Sequence, residues 1–219
     1  TMPSTRYQKI NAHHYRHIWV VGDIHGEYQL LQSRLHQLSF FPEIDLLISV
    51  GDNIDRGPES LDVLRLLNQP WFTSVKGNHE AMALEAFETG DGNMWLASGG
   101  DWFFDLNDSE QQEAIDLLLK FHHLPHIIEI TNDNIKYAIA HAGYPGSEYL
   151  FGKEIAESEL LWPVDRVQKS LTGELQQING ADYFIFGHMM FDNIQTFANQ
   201  IYIDTGSPNS GRLSFYKIK

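Results

Sequence analysis

At 219 residues the chain can bury a sizeable core, and ordinary domain sizes favour one domain spanning residues 1–219. Its composition, 42% hydrophobic and 20% charged, excludes a disordered or fibrous protein. The 29 acidic against 15 basic residues give a formal charge of −14, which argues against nucleic acid as a partner because a phosphate backbone needs a cationic face. Cysteine is absent, so thiolate nucleophiles, thiolate zinc sites and disulfides are ruled out. Apolar runs such as Ile18 to Val21 are far too short for a membrane span or a signal core, so a cytoplasmic chain with no membrane partner is expected, and a monomer with it. Thr1, ahead of Met2, reads as an added residue without structural meaning.

The apolar, β-branched segment His17 to Val21 reads as a buried strand that runs into Gly22-Asp23-Ile24-His25-Gly26. Leu30, Leu31, Leu35 and Leu38 follow at helical spacing, and Asp45 to Val50 forms a second strand that ends in Gly51-Asp52. Pro58 stands where a helix would begin, with Leu61, Val63, Leu64, Leu66 and Leu67 as its apolar content. A third strand, Trp71 to Val75, ends at Gly77-Asn78-His79. This βαβαβ order predicts an α/β architecture with polar residues gathered at the carboxyl ends of the strands. Residues 80–123 read as a helical insertion, through Glu80 to Phe87 and Ser109 to His122, with a capping box at Ser109-Glu110-Gln111-Gln112. Beyond Pro125 strands dominate: Ile135 to Ala140 ending at His141, Tyr183 to Phe186 ending at Gly187-His188, then Gln200 to Ile203 and Arg212 to Ile218. Short helical patterns at Glu154 to Leu161 and Val167 to Gln177 interrupt them.

Taken singly, Asp23 could cap a helix, His25 could be a satisfied loop histidine and Asn78 could serve a turn. Together, Asp23, His25, Asp52, Asn78, His141 and His188 each stand at the end of a predicted strand, usually beside a glycine that permits a tight turn. Three histidines, two aspartates and an asparagine form a nitrogen and oxygen donor set suited to manganese, iron, zinc or nickel, and six donors exceed what one open catalytic ion needs. Two divalent ions sharing a carboxylate fit that set best. Spacing alone does not assign each ligand to an ion.

The blocks Gly22-Asp23-Ile24-His25-Gly26, Gly51-Asp52-Asn53-Ile54-Asp55-Arg56-Gly57 and Gly77-Asn78-His79-Glu80 resemble the GDxHG, GDxxDRG and GNHE signature of the phosphoprotein phosphatase family of calcineurin-like metallophosphatases. His141-Ala142-Gly143 and Gly187-His188 match that family's remaining ligand loops, and the resemblance runs from Ile18 almost to the last residue. The size of the chain and the loop Tyr202-Ile203-Asp204-Thr205-Gly206 are most similar to the short enterobacterial and bacteriophage-lambda branch. The resemblance implies two mixed β-sheets packed as a sandwich and flanked by helices. It implies hydrolysis of phosphoserine and phosphothreonine in phosphoprotein substrates, with phosphotyrosine open. By the same pattern Asp23, His25 and Asp52 hold one ion, and Asp52, Asn78, His141 and His188 hold the other; Mn2+ is expected, with Fe, Zn or Ni as options.

A water or hydroxide between the two ions is the implied nucleophile, and no phosphoenzyme is needed. His79 is the implied general acid for the serine or threonine alkoxide, a role worth roughly 10²- to 10⁴-fold. Asp55 would accept its other ring N–H and fix the tautomer; the alternative for Asp55 is a surface salt bridge to Arg56. Arg56 is expected to clamp phosphate oxygens, with Asn78 beside it, and its alternative is a solvated loop arginine. Glu80 is expected to support the helix start or the ligand shell, because a carboxylate facing phosphate would repel it.

Bacterial relatives carry an arginine two residues after the tryptophan of Leu160-Leu161-Trp162; here that position is Val164, and Arg166 is the candidate replacement as a second phosphate clamp. Met189-Met190-Phe191 follows the last ligand where relatives have threonine or arginine and then proline, which makes a soft apolar lip unless these side chains fill core. Gly143 stands where an acidic residue is frequent in the bacterial subgroup. Two rivals accompany the phosphatase reading. A symmetrical dinucleoside tetraphosphatase shares the fold and ligands but typically has alanine at the position of Asp55 and aspartate at that of Glu80. A non-catalytic scaffold would tolerate loss of ligands, whereas all six are retained here.

Overall fold

The computed structural model describes residues 4–219, so the reading of Thr1 lies outside the described residues. The chain enters as β1 (Tyr7–Asn11), whose mostly polar, half-exposed side chains gave no strand signal. Then β2 (Ile18–Val21), α1 (Tyr28–Gln37), β3 (Leu46–Ser49), α2 (Ser60–Arg65) and β4 (Phe72–Ser74) follow the βαβαβ order read from the sequence. β2 pairs with β3, and β3 with β4, all parallel, so the loops after their carboxyl ends open on one edge.

The insertion comprises α3 (Asn78–Thr89), α4 (Asn93–Ala97), a 3-10 segment Gly100–Asp105 and α5 (Asp108–Leu119). The capping box of α5 lies two residues earlier than predicted. Asn107 Oδ1 accepts from Glu110 N at 2.9 Å, and Glu110 Oε1 accepts from Asn107 N at 3.1 Å. This register places an acidic residue at the third helical position, where it also favours the positive end of the helix dipole.

β5 (Ile127–Asn132) and β6 (Ile135–Ile139) form an antiparallel hairpin that turns through Asp133 and Asn134, with φ of 50° and 63°. α6 (Glu157–Leu161) and α7 (Asp165–Leu171) are shorter than the patterns suggested, and α7 stops ahead of Gly173, whose φ is 92°. β7 (Tyr183–Phe186), β8 (Gln195–Phe197), β9 (Gln200–Tyr202), α8 (Ser207–Ser210) and β10 (Phe215–Lys217) complete the fold. No helix among the described residues is long and apolar enough to cross a membrane.

The strands make a six-stranded sheet, ordered β1-β5-β6-β7-β9-β8, and a four-stranded sheet, ordered β10-β2-β3-β4. Strand alternation explains how they stack. Ile18, Val20 and Ile48 of the smaller sheet meet Ile128, Ile130, Ile139, Ile185 and Ile201 of the larger in one buried cluster. The opposite faces are also covered: Val21 and Leu47 pack on Leu31, Leu35 and Val63, and Phe184 and Phe186 on Tyr144, Leu160 and Val167. Burial on both faces is why β2, β3 and β7 read as continuous apolar runs. Each such fully buried side chain contributes about 1.5–3 kcal/mol, so the sandwich is a rigid base for the loops at its edge.

Candidate active site

Five strand-end loops converge. Asp23 and His25 follow β2, Asp52 follows β3, Asn78 opens α3 after β4, His141 follows β6 and His188 follows β7. Nine described non-glycine residues have positive φ, and five of them, His25, Asp52, Asp55, Arg56 and His188, belong to these loops. Backbone of that kind costs of order 1–3 kcal/mol per residue and persists only where surrounding contacts enforce it. Here the buried Glu80 carboxylate accepts from Gly77 N at 2.9 Å, Asp52 N at 2.8 Å and Asn53 N at 2.9 Å. The loops also clamp one another: His25 N donates to Asp52 O at 3.0 Å, and a Cβ on Gly57 would lie 2.0 Å from His25 O. Glu80 thus supports the loops rather than facing a phosphate, as the sequence suggested.

The six predicted donors come together. Asp52 Oδ2 lies 3.9 Å from His25 Nε2 and 3.3 Å from His141 Nε2, while Asp23 Oδ2 lies 3.8 Å from His25 Nε2. Asn78 Oδ1 lies 2.7 Å from His141 Nε2 and 3.1 Å from His188 Nδ1. Two groups can each close on one ion, Asp52 with His141 and His188, and Asp52 with His25 and His79; Asp52 is common to both. His79 enters the second group because its Nε2 is 3.8 Å from Asp52 Oδ2, the same reach as the Asp23 to His25 pair. Backbone acceptors set the ring orientation: His25 Nδ1–H donates to Ile54 O at 2.8 Å and His141 Nδ1–H to Val50 O at 2.7 Å. Each Nε2 is then turned toward the aspartates, as metal-ligating histidines require.

The donor chemistry fits divalent cations. Asp23, Asp52 and Asp204 are all buried, and among the described residues none pairs with a lysine or arginine. Burial, with Asp204 and Asp52 close by, pushes the Asp23 carboxyl well above the ordinary carboxylate range; burial likewise raises Asp204. Burial also opposes ionisation of Asp52, but the neighbouring His141 and His79 outweigh it and hold Asp52 low. Cations placed among these groups let all three carboxylates ionise together. Burial and the nearby His141 depress His188 to about 4, which leaves it neutral and able to ligate. Asp204 is a site residue that motif reading did not single out.

His79 and Asp55 lie beside this cluster. Asp55 is fully buried, which excludes the surface ion pair with Arg56, and its Oδ2 accepts from His79 Nδ1 at 2.7 Å. Burial disfavours a charged His79, but Asp52 and the hydrogen-bonded Asp55 outweigh it and raise the imidazole above its usual value. Two indoles unforeseen from sequence complete the Asp55 shell: Trp95 Nε1 lies 3.0 Å from both oxygens and Trp102 Nε1 lies 2.7 Å from Oδ1. A cavity of about 210 Å³ exposes Asp23, His25, Asp52, Asn78, His79, His188 and Asp204, with the exposed Arg56 on its wall. His141 lies beneath it at 0% exposure.

Arg166 is the predicted residue that the fold does not bring to this cavity. Its guanidinium donates to Tyr144 O and Gly146 O and lines a separate cavity of about 470 Å³ that shares only Trp162 with the lining of the first. Its guanidinium is engaged with those carbonyls and is not directed at the donor cluster. The apolar lip is also narrower than the sequence suggested: Met189 and Phe191 pack on core, and only Met190, 56% exposed, faces the cavity. Gly143 lies against the Pro163 ring.

Comparison with known proteins agrees with this geometry. The calcineurin-like phosphoesterase profile matches residues 16–191. The chain is 99% identical over 218 residues to serine/threonine-protein phosphatase 2 of Escherichia coli K12, covering 100% of both chains, and 60% identical to the Salmonella typhimurium LT2 protein of that name, again over the full length of both. Among solved structures it superposes on a candidate diadenosine tetraphosphatase with a TM-score of 0.73 at 25% identity, covering 98% of this chain and 94% of the other. Sequence, fold and site geometry together make this chain a member of the calcineurin-like phosphoesterase family.

Proposed function

We propose that the chain is a metal-dependent protein phosphatase that hydrolyses phosphoserine and phosphothreonine, with Asp23, His25, Asp52, Asn78, His141 and His188 holding two divalent ions. The carrying observation is the buried Asp55–His79 pair, 2.7 Å long, set beside the donor cluster. A leaving alkoxide needs a proton, whereas a good leaving group such as a nucleotide polyphosphate does not; a dedicated, oriented acid therefore favours a serine or threonine ester over the tetraphosphatase reading. The two full-length relatives carry the protein phosphatase name, which supports the same choice. Manganese is the ion favoured for this nitrogen and oxygen donor set, and the proposed setting is a cytoplasmic, monomeric enzyme acting on phosphoproteins.

When bound, the ions supply Lewis-acid charge to the phosphoryl group and an activated water. The side chains do the rest. Arg56, always charged and open to solvent, grips two phosphate oxygens as a fork, and the Asn78 amide borders the same space. His79 holds its Nδ1 proton toward Asp55, so Nε2 faces the cavity and gives its proton to the serine or threonine oxygen as the phosphorus–oxygen bond breaks.

The test compares kcat/KM on a phosphoserine peptide with that on diadenosine tetraphosphate, with manganese supplied. Preference for the peptide supports the proposal, and strong preference for the nucleotide overturns it. His79→Asn should lower kcat on the peptide by about 10²- to 10⁴-fold. Failure to hydrolyse p-nitrophenyl phosphate with any divalent ion would instead identify a scaffold.

A further inference from the structure

We propose that the segment Trp95 to Trp102 of the helical insertion is the positioning template for Asp55 and Arg56, and that its two indole N–H groups set how well His79 protonates the leaving oxygen. The inference rests on the phosphatase reading above and extends it to residues outside the ligand motifs.

A fully buried carboxylate has about four lone-pair positions to satisfy. Asp55 fills them with His79 Nδ1–H, Trp102 Nε1–H on Oδ1 and Trp95 Nε1–H shared by both oxygens. No lysine or arginine pairs with it among the described residues. The choice of donor matters. An arginine would neutralise the carboxylate and weaken its hold on the histidine, whereas an indole N–H donates without net charge and does not ionise. The carboxylate stays fixed in angle, and its charge remains directed at His79.

The plain alternative is that both tryptophans are core filling. Trp95 is 2% exposed and packs at 5.4 Å from Phe87 and 5.8 Å from Phe103, so it does fill core. Packing alone does not account for two indole nitrogens, 40 and 47 residues away in sequence, converging on one carboxylate. Nor does it account for the neighbouring residue. Arg56, at φ 75°, donates its backbone N–H to Gly99 O at 3.3 Å, and Gly99 itself sits at φ 107°. A Cβ on Gly99 would lie 2.9 Å from both Arg56 N and Arg56 Cγ. One short segment of the insertion therefore holds the carboxylate that aims the acid and the backbone that aims the phosphate fork.

In the step concerned, the proton passes from His79 Nε2 to the oxygen that departs as its bond to phosphorus breaks, and Asp55 keeps the Nδ1–H bond throughout. Loss of one orienting donor should matter most when the departing oxygen is a strong base. Trp102→Phe, at a half-buried position, removes the N–H and keeps the ring. It should lower kcat on a phosphoserine peptide about tenfold more than on p-nitrophenyl phosphate, a fraction of the roughly 10²- to 10⁴-fold that a general acid supplies. In an Asp55→Asn background the same change should no longer alter that ratio, because coupled residues are non-additive. Gly99→Ala should raise KM on both esters alike. An unchanged ratio in Trp102→Phe, additive effects in the double variant, or an unchanged KM in Gly99→Ala overturns the inference.

A spectroscopic reading separates this from the phosphatase proposal. The five tryptophans give five indole N–H signals in a 1H–15N spectrum of the full chain. Asp55→Asn should shift those of Trp95 and Trp102 well beyond those of Trp19, Trp71 and Trp162, and uniform small shifts overturn the contact. If the wild type fails on the peptide but these two signals move, the substrate assignment fails and the indole contact stands.

Discussion

Glu80 ties three site loops together, and Glu80→Gln should cost about 3 kcal/mol. The carboxylate is wholly buried and accepts three backbone N–H groups, from Gly77, Asp52 and Asn53. Hydrogen bonds to a charged acceptor are worth about 1.5–3 kcal/mol each, and neutral ones about 1. Glutamine has one acceptor oxygen. Placed at Oε1 it keeps two weakened bonds and sets its amide against the Asn53 N–H. Burial, with Asp52 close by, raises the Glu80 carboxyl to about 7, so the comparison holds above that pH; there three charged bonds at about 2 kcal/mol become two neutral ones at about 1, a loss of about 4, which the cheaper burial of a neutral amide trims by about 1. Glu80→Ala abandons all three donors and opens a cavity, so it should cost about 5 kcal/mol or more. Equilibrium urea unfolding with a chelator present measures both without interference from bound ions. At a typical slope of about 1–3 kcal/mol per molar, Glu80→Gln should lower the midpoint by about 1 to 3 M. A shift below about 0.3 M, or an alanine variant no worse than the glutamine one, would refute the view that Glu80 holds the loops.

Chelation should lower the melting temperature, since an ion at a hundred times its Kd stabilises by about 2.7 kcal/mol; calorimetry of His141→Ala should find that difference reduced. Gly57→Ala, which would put a Cβ 2.0 Å from His25 O, should lower stability by more than about 2 kcal/mol in urea titrations and weaken ion binding by calorimetry. Burial opposes ionisation of Glu157, but hydrogen bonds from His126 and Lys76 outweigh it and draw the carboxyl down from 4.5 to about 2. A depressed carboxyl stabilises the fold fully above about pH 4.5, and that contribution is lost as pH falls toward 2. Glu157→Gln should therefore flatten the stability profile across that window, and an unchanged acid limb in pH-dependent unfolding would count against the pairing.

The α/β order and the six candidate donors were legible in the residues alone. Both are local: a strand buried on both faces writes a continuous apolar run, and a tight ligand loop writes glycine beside aspartate or histidine. Parallel neighbours then carry those loops to one edge without further information. β1 and β5 escaped notice because their positions depend on pairing with each other, Tyr7 to Ile127 through Asn11 to Thr131, and that register is a long-range fact. The cap of α5 moved to Asn107 because competing cap residues differ only in which partner they meet. The contacts that surround the donors came from packing. Trp95 and Trp102 became donors to Asp55, Asp204 joined Asp23, and Arg166 turned to the carbonyls of Tyr144 and Gly146 instead of the cavity. Each of those contacts joins residues that are distant along the chain, and a side chain's direction there is set by what packs around it rather than by its neighbours in sequence.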